Sequence, residues 1–262
     1  MGDFFTGSGN KISARDFVEL YRTCRLINSR VSQKNYNNLQ RERYYILNLL
    51  PVYAVYSLVS YPVIVEKVDI GGQDNMPDFR ISDCKSDYIL EATMGTTEEY
   101  ITKSVKLSRQ GKTYKNYKVW TENGKARVEL YEEAGSGFRM GFEQDKAFAI
   151  IVSERIINKT KSLPSYKIPK DSKKELLVYY NFPGGINVDY AENWLFEELK
   201  KKEYYQIEPK FDKVHIQKDL FVLYDIFGEN RELTKYKLYE YLHYLSIENP
   251  AVFEGLPNNT DN

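Results

Sequence analysis

Histidine is nearly missing from this chain: only His215 and His243 occur in 262 residues. That scarcity argues against His-rich zinc centres, histidine-based hydrolytic motifs and Ser-His-Asp catalysis. Each histidine is expected to be structural or exposed. Cysteine is equally scarce. Cys24 and Cys84 make no disulfide framework, and a reduced, cytoplasmic setting is expected. The N-terminus lacks the basic-then-apolar pattern of a signal peptide. No apolar run approaches ~18 residues, so neither a transmembrane helix nor a membrane partner is expected. A phosphate-binding loop is also absent, because Gly7-Ser8-Gly9-Asn10-Lys11 has the wrong spacing. Finally, there is no excess of either charge. The 37 basic and 37 acidic residues cancel, without the basic surplus usual in nucleic-acid binders. Distribution matters more than the sum, and basic residues concentrate in 103–118 and 155–174.

What the chain does have is enough apolar residue, 42%, to bury a core, and 23 tyrosines. Tyrosine can stack on bases, but most of these fall on the apolar faces of helices and strands, where packing accounts for them. Periodicity predicts helices over 14–28 with Ser13 as cap, over about 36–50, 97–109, 144–162 and 190–203, and a last one over about 233–247. Residues 1–12 and the tail from Pro250 read as flexible termini. Strands are expected at 63–68, 79–82, 87–93, 117–121, 126–131, 176–180, 212–216 and 220–226. Glu122-Asn123-Gly124-Lys125 carries the Asn-Gly hairpin signal, which pairs Lys118 with Glu129 and Trp120 with Arg127. The order implies an α/β fold with a central mixed sheet flanked by helices. No linker divides it, so 1–262 reads as a single domain.

The most informative stretch runs from Met76-Pro77-Asp78-Phe79-Arg80-Ile81-Ser82 to Asp87-Tyr88-Ile89-Leu90-Glu91-Ala92-Thr93. Asp83-Cys84-Lys85-Ser86 is a polar four-residue connection. Symmetric register about it sets Ser82 opposite Asp87, Arg80 opposite Ile89 and Asp78 opposite Glu91. Side chains alternate along a strand, so Asp78 and Glu91 emerge on one face, followed by Thr93. Directly opposed side chains have Cβ atoms about 4.5–5.5 Å apart. Two like charges so placed call for a counter-charge, and a hard divalent cation prefers carboxylate oxygens. The plain alternatives are an Asp78 that caps a turn after Pro77 and a Glu91 that pairs diagonally with Arg80. Glu42 falls on the apolar stripe of the helix about 36–50, with Leu39, Ile46, Leu49 and Leu50. It either pairs with a cation at the rim or points at the Asp78–Glu91 face.

Pro77-Asp78 followed by Glu91-Ala92-Thr93 resembles the PD-(D/E)xK nuclease superfamily, with Thr93 where the motif lysine usually stands. The resemblance covers about 36–182 and leaves 183–250 as a C-terminal α/β extension. It implies a restriction-endonuclease-like fold and Mg²⁺ (or Mn²⁺) held by Asp78, Glu91 and the Ala92 carbonyl, with Glu42 joining by position. It implies an endonuclease cleaving DNA, with RNA the other candidate, in restriction or phage defence. In some members of the family a neighbouring helix supplies the lysine. Lys159 fits that role, since it continues the Ala149, Val152, Ile156 face; Lys161 and Lys103 stand next. The competing account of Lys159 is a surface lysine complementing the helix C-terminus. Lys103, Lys106, Arg109 and Lys112 are candidates for tracking a nucleic-acid backbone. A homodimer or a separate target-recognition subunit is compatible with the neutral charge. Two alternatives remain. One is an inactive nuclease-fold protein that binds nucleic acid or a partner protein. The other is an unrelated α/β interaction subunit, in which Asp78, Glu91 and Glu42 do not converge.

Overall fold

The run Leu176-Leu177-Val178 lies at the middle of the protein, in a strand buried on both faces. This computed structural model describes residues 10–29, 43–44, 46–51, 59–68, 76–112, 114–132, 141–183, 186–217, 222–227 and 233–237, with positions 243, 246, 247, 250 and 254. In chain order the elements are β1 (Lys11–Ala14), α1 (Phe17–Ser29), α2 (helical at 43–44 and 46–51), β2 (Val63–Lys67), β3 (Phe79–Ser82) and β4 (Asp87–Gly95). Then come α3 (Glu98–Arg109), β5 (Asn116–Glu122), β6 (Lys125–Tyr131), α4 (Gly141–Ser162), β7 (Lys173–Tyr180), α5 (Val188–Lys201), β8 (Lys213–Gln217), β9 (Val222–Phe227) and β10 (Leu233–Lys237).

Eight strands form one mixed sheet in the order β1-β2-β3-β4-β7-β8-β9-β10. β4–β7 and β7–β8 are parallel, and the other neighbours are antiparallel. Parallel strands need long crossovers. The connection from β4 to β7 contains α3, the β5–β6 hairpin and α4, while α5 lies between β7 and β8. Alternation along the strands divides the core in two. Leu177 joins Phe79, Ile81, Leu90 and the apolar residues of α1 and α2. Leu176, Val178 and Tyr180 face the other way, toward α4 and α5. α4 is buried over much of its circumference because it lies between the sheet and the β5–β6 hairpin.

Most expected elements form within a few residues of their predicted bounds. The β3–β4 ladder has the expected register, with Ser82 opposite Asp87 and Arg80 opposite Ile89. Asp83 organises the turn: its Oδ1 accepts from the backbone N–H of Lys85 (2.7 Å) and of Ser86 (2.8 Å). The Asn123-Gly124 turn has φ of 50° and 70°, the left-handed values of a type I′ hairpin, and its strands pair as expected. That hairpin is a separate two-stranded sheet.

Three expectations need correction. Ser13 does not cap α1; it lies in β1 opposite Ile64. Asp16 is the cap, accepting from the Glu19 N–H at 2.9 Å, while Glu19 accepts from the Arg15 N–H at 2.8 Å. Residues 11 and 12 belong to that same strand rather than to a leader. Residues 233–237 form β10, not the start of a helix. Thr234 and Tyr236 favour strand, and the free edge of β9 decides the matter by offering backbone hydrogen bonds. Residues beyond 183 add α5 and β8–β10 to the same fold, the strands extending the common sheet.

Candidate functional site

The β3–β4 hairpin delivers two carboxylates. Asp78 immediately precedes β3, and Glu91 follows Leu90, the partner of Phe79. Asp78 is fixed by three contacts. Its Oδ2 accepts from the Ala92 N–H at 2.8 Å, its carbonyl accepts from the Val68 N–H at 3.0 Å, and its Oδ1 accepts from Lys67 Nζ at 3.0 Å. Lys67 is only 2% exposed and lies 4.8 Å from the centre of the Phe79 ring. A lysine so deeply buried is stable only when paired, so Lys67 and Asp78 hold one another in place.

Glu91 is 5% exposed. In the β4–β7 ladder it stands opposite Leu176, which packs toward α4. From α4 the Lys159 ammonium donates to Glu91 Oε1, and the Tyr166 hydroxyl donates to the same oxygen at 3.0 Å. No described residue donates to Oε2. Burial, reinforced by the negative charge of Asp78, raises the Glu91 carboxyl to about 7, although Lys159 and Tyr166 pull the other way. Burial and the nearby Glu91 charge in turn raise the Tyr166 phenol, keeping it a donor.

The expected residues therefore sort clearly. Asp78, Glu91 and Lys159 come together, with the Ala92 N–H joining them to one hairpin. Arg80 pairs with Asp87 at 2.7 Å rather than with Glu91. Thr93 is half-buried, two residues beyond Glu91 and opposite Val178. Lys161 is exposed. Glu42 lies outside the described residues. The basic residues associated with α3 make their contacts away from the pair. Lys103 donates to Glu99 (2.9 Å) and to the Val128 carbonyl (2.6 Å), tying α3 to β6. Lys112 pairs with Glu132 at 2.8 Å. Lys106 and Arg109 line a shallow surface hollow with Ile101 and Val105. His215 is fully buried with Nε2 3.1 Å from Glu175, and His243 is exposed.

Lys67, Tyr166 and Arg155 were not assigned from the sequence. Lys67 carried a signal, since it continues the inward positions of Val63 and Val65 at period two. Arg155 lies four residues before Lys159, on the same side of α4.

Among the described residues no group of three or more histidine, cysteine, aspartate or glutamate side chains gathers to hold a metal. Asp78 and Glu91 are two. Their donor chemistry suits a hard cation: both are carboxylates, their repulsion contributes to the raised Glu91 carboxyl, and Glu91 Oε2 receives no hydrogen bond from a described residue. Among the described residues, no helix is long and apolar enough to cross a membrane. Compared with known protein families, curated proteins and solved structures, the chain finds no match in any of the three.

Proposed function

We propose that this protein is a divalent-metal-dependent endonuclease of restriction-endonuclease-like fold, hydrolysing phosphodiester bonds in DNA. The observation that carries the reading is the meeting of Asp78 and Glu91 with an ammonium supplied by α4, Lys159, in place of the lysine missing at Thr93. Asp78, Glu91 and the Ala92 carbonyl would hold Mg²⁺ or Mn²⁺, with Glu42 a further ligand by resemblance. Such an ion, when bound, makes a coordinated water more acidic and stabilises charge on the phosphate. In the reaction a water oxygen bonds to phosphorus, the bond to the leaving sugar oxygen breaks, and that oxygen takes up a proton. Lys159, aimed by Glu91, neutralises charge building on the phosphate oxygens. Lys67 acts through Asp78, holding its carboxylate in one orientation. Tyr166 stabilises the ionised form of Glu91.

A second reading has its own support. Lys67 neutralises Asp78 and Lys159 neutralises Glu91, so the four charges balance without a cation. On that reading the chain is an inactive nuclease-fold protein that binds nucleic acid or a partner protein. Incubation of plasmid with Mg²⁺ or Mn²⁺ separates the two. The catalytic reading expects cleavage by the wild type and a loss of at least about 100-fold in Asp78→Asn, Glu91→Gln and Lys159→Ala, each checked for folding by circular dichroism. Absence of cleavage by the folded wild type, or cleavage equal in all three variants, would overturn it.

A further inference from the structure

α4 carries a second cation on the side that bears Lys159. Arg155 is one helical turn earlier, so the two Cβ atoms lie about 5–6 Å apart. While Lys159 reaches Glu91, Arg155 Nη2 donates to the carbonyl of Thr96 at 2.9 Å, just past the end of β4. The two basic residues thus meet the chain at Glu91 in β4 and at Thr96 just beyond it, five residues apart. Thr93 and Met94 lie between them, half-buried and without formal charge.

Arg155 differs in its partner from many of the other half-buried cations. Lys67, Arg80, Lys103, Lys112, Arg127, Lys146, Lys159 and Lys202 all lie within ion-pair distance of a carboxylate. Arg155 is half-buried, yet no described carboxylate comes within that distance; its one hydrogen bond is to a neutral carbonyl. A guanidinium offers five N–H donors in a planar fork suited to phosphate oxygens. One is used by Thr96, and that bond fixes the direction of the rest. The Thr96 hydroxyl is itself buried without a hydrogen-bond partner among the described residues. The end of β4 therefore has an oriented positive charge with no carboxylate of the described residues within ion-pair distance.

We infer that Arg155 binds a backbone phosphate of the nucleic-acid strand, flanking the one at the Asp78–Glu91 pair. The inference rests on the nuclease reading and adds a residue that the hairpin motif does not contain. Bound this way, the strand runs along β4, with Lys159 at one phosphate and Arg155 at another. Arg155 fixes its register and carries no base specificity.

The test is equilibrium binding of a fluorescent duplex oligonucleotide, with Ca²⁺ in place of Mg²⁺, across a range of NaCl concentrations. Wild type, Arg155→Ala and Arg155→Lys are compared, with urea midpoints as the check on folding. Loss of one phosphate contact lowers the slope of log K against log salt by about 0.9. Arg155→Ala is expected to show that reduction and to bind about tenfold more weakly. Arg155→Lys keeps the slope and loses part of the affinity, because its ammonium lacks the fork. It also serves where the alanine variant is poorly folded. A purely structural role for Arg155 leaves the slope unchanged. Wild type that binds and cleaves DNA while both variants match its slope and affinity would overturn the Arg155 assignment alone. Wild type that neither binds nor cleaves would overturn the nuclease reading and this inference together.

Discussion

Replacing Glu91 by glutamine removes a buried charge while keeping the acceptor that Lys159 and Tyr166 use. Glutamine Oε1 can still accept from both, and its amide nitrogen falls where no described residue donates. In the wild type the Glu91 carboxyl is raised from 4.5 to about 7 in the folded state. Because the folded state holds this proton more tightly, the associated stability is fully present below about pH 4.5. It is lost as the pH rises through about 7. At roughly 1.4 kcal/mol per unit, the full change is about 3 kcal/mol. That shift already includes the opposing pull of Lys159 and Tyr166 on the ionised carboxylate. The variant, which mimics the protonated acid, is therefore expected to be more stable than the wild type near pH 8, by about 2–3 kcal/mol, and to lose that advantage near pH 5. Urea unfolding of both proteins across this range, at fixed ionic strength and without divalent cations, measures the difference directly. Other titrating groups are common to the two chains and cancel. A difference that stays constant from about pH 5 to pH 8 would refute the claim that Glu91 is a strained, proton-hungry carboxylate.

Three further outcomes follow from the same contacts. Lys67→Met leaves Asp78 facing Glu91 without its cation; breaking a buried pair in this way costs about 3–5 kcal/mol, and Lys67→Gln, which keeps a donor, is expected to lose less in the same urea assay. Tyr166→Phe removes a hydrogen bond that favours ionised Glu91; it should cost about 1 kcal/mol and move the wild-type pH dependence of stability upward, and an unmoved profile would show that the phenol does not act on Glu91. Gly95→Ala tests the parallel pairing of β4 with β7: a Cβ there would sit 3.1 Å from Val178 Cγ1, 3.2 Å from Tyr180 Cα and 3.3 Å from the Tyr179 carbonyl. The expected loss is about 1–3 kcal/mol by thermal or urea unfolding, whereas an unchanged midpoint would mean that the strands do not approach so closely.

The β3–β4 hairpin was legible because everything that sets its register is local. A four-residue connection with Asp83 at its start leaves one symmetric pairing, and Asp78 then falls level with Glu91 by period two alone. Lys159 was legible because it continues a buried helical face at a spacing of three. Lys67 was not used, although its inward position could be read. Its partner became visible only when β2 paired with β3, a non-local event across residues 68–78. Arg155 escaped notice because its acceptor is a backbone carbonyl, which has no sequence signature. The strand at 233–237 was missed because its residues fit a helical stripe in isolation, and only the edge of β9 turns them into a strand. Glu42, the remaining acid of the expected set, lies outside the described residues.

At the centre of the account is the claim that Asp78 and Glu91 act as one cation site. Calorimetric titration of Mn²⁺ into the wild type, Asp78→Asn and Glu91→Gln, at about pH 6 and about pH 8, tests it without relying on turnover. The wild type is expected to bind, more tightly at the higher pH because Glu91 must release its proton. Both variants are expected to lose that binding. Equal Mn²⁺ binding by all three proteins, or wild-type affinity that ignores pH between these values, would contradict the claim.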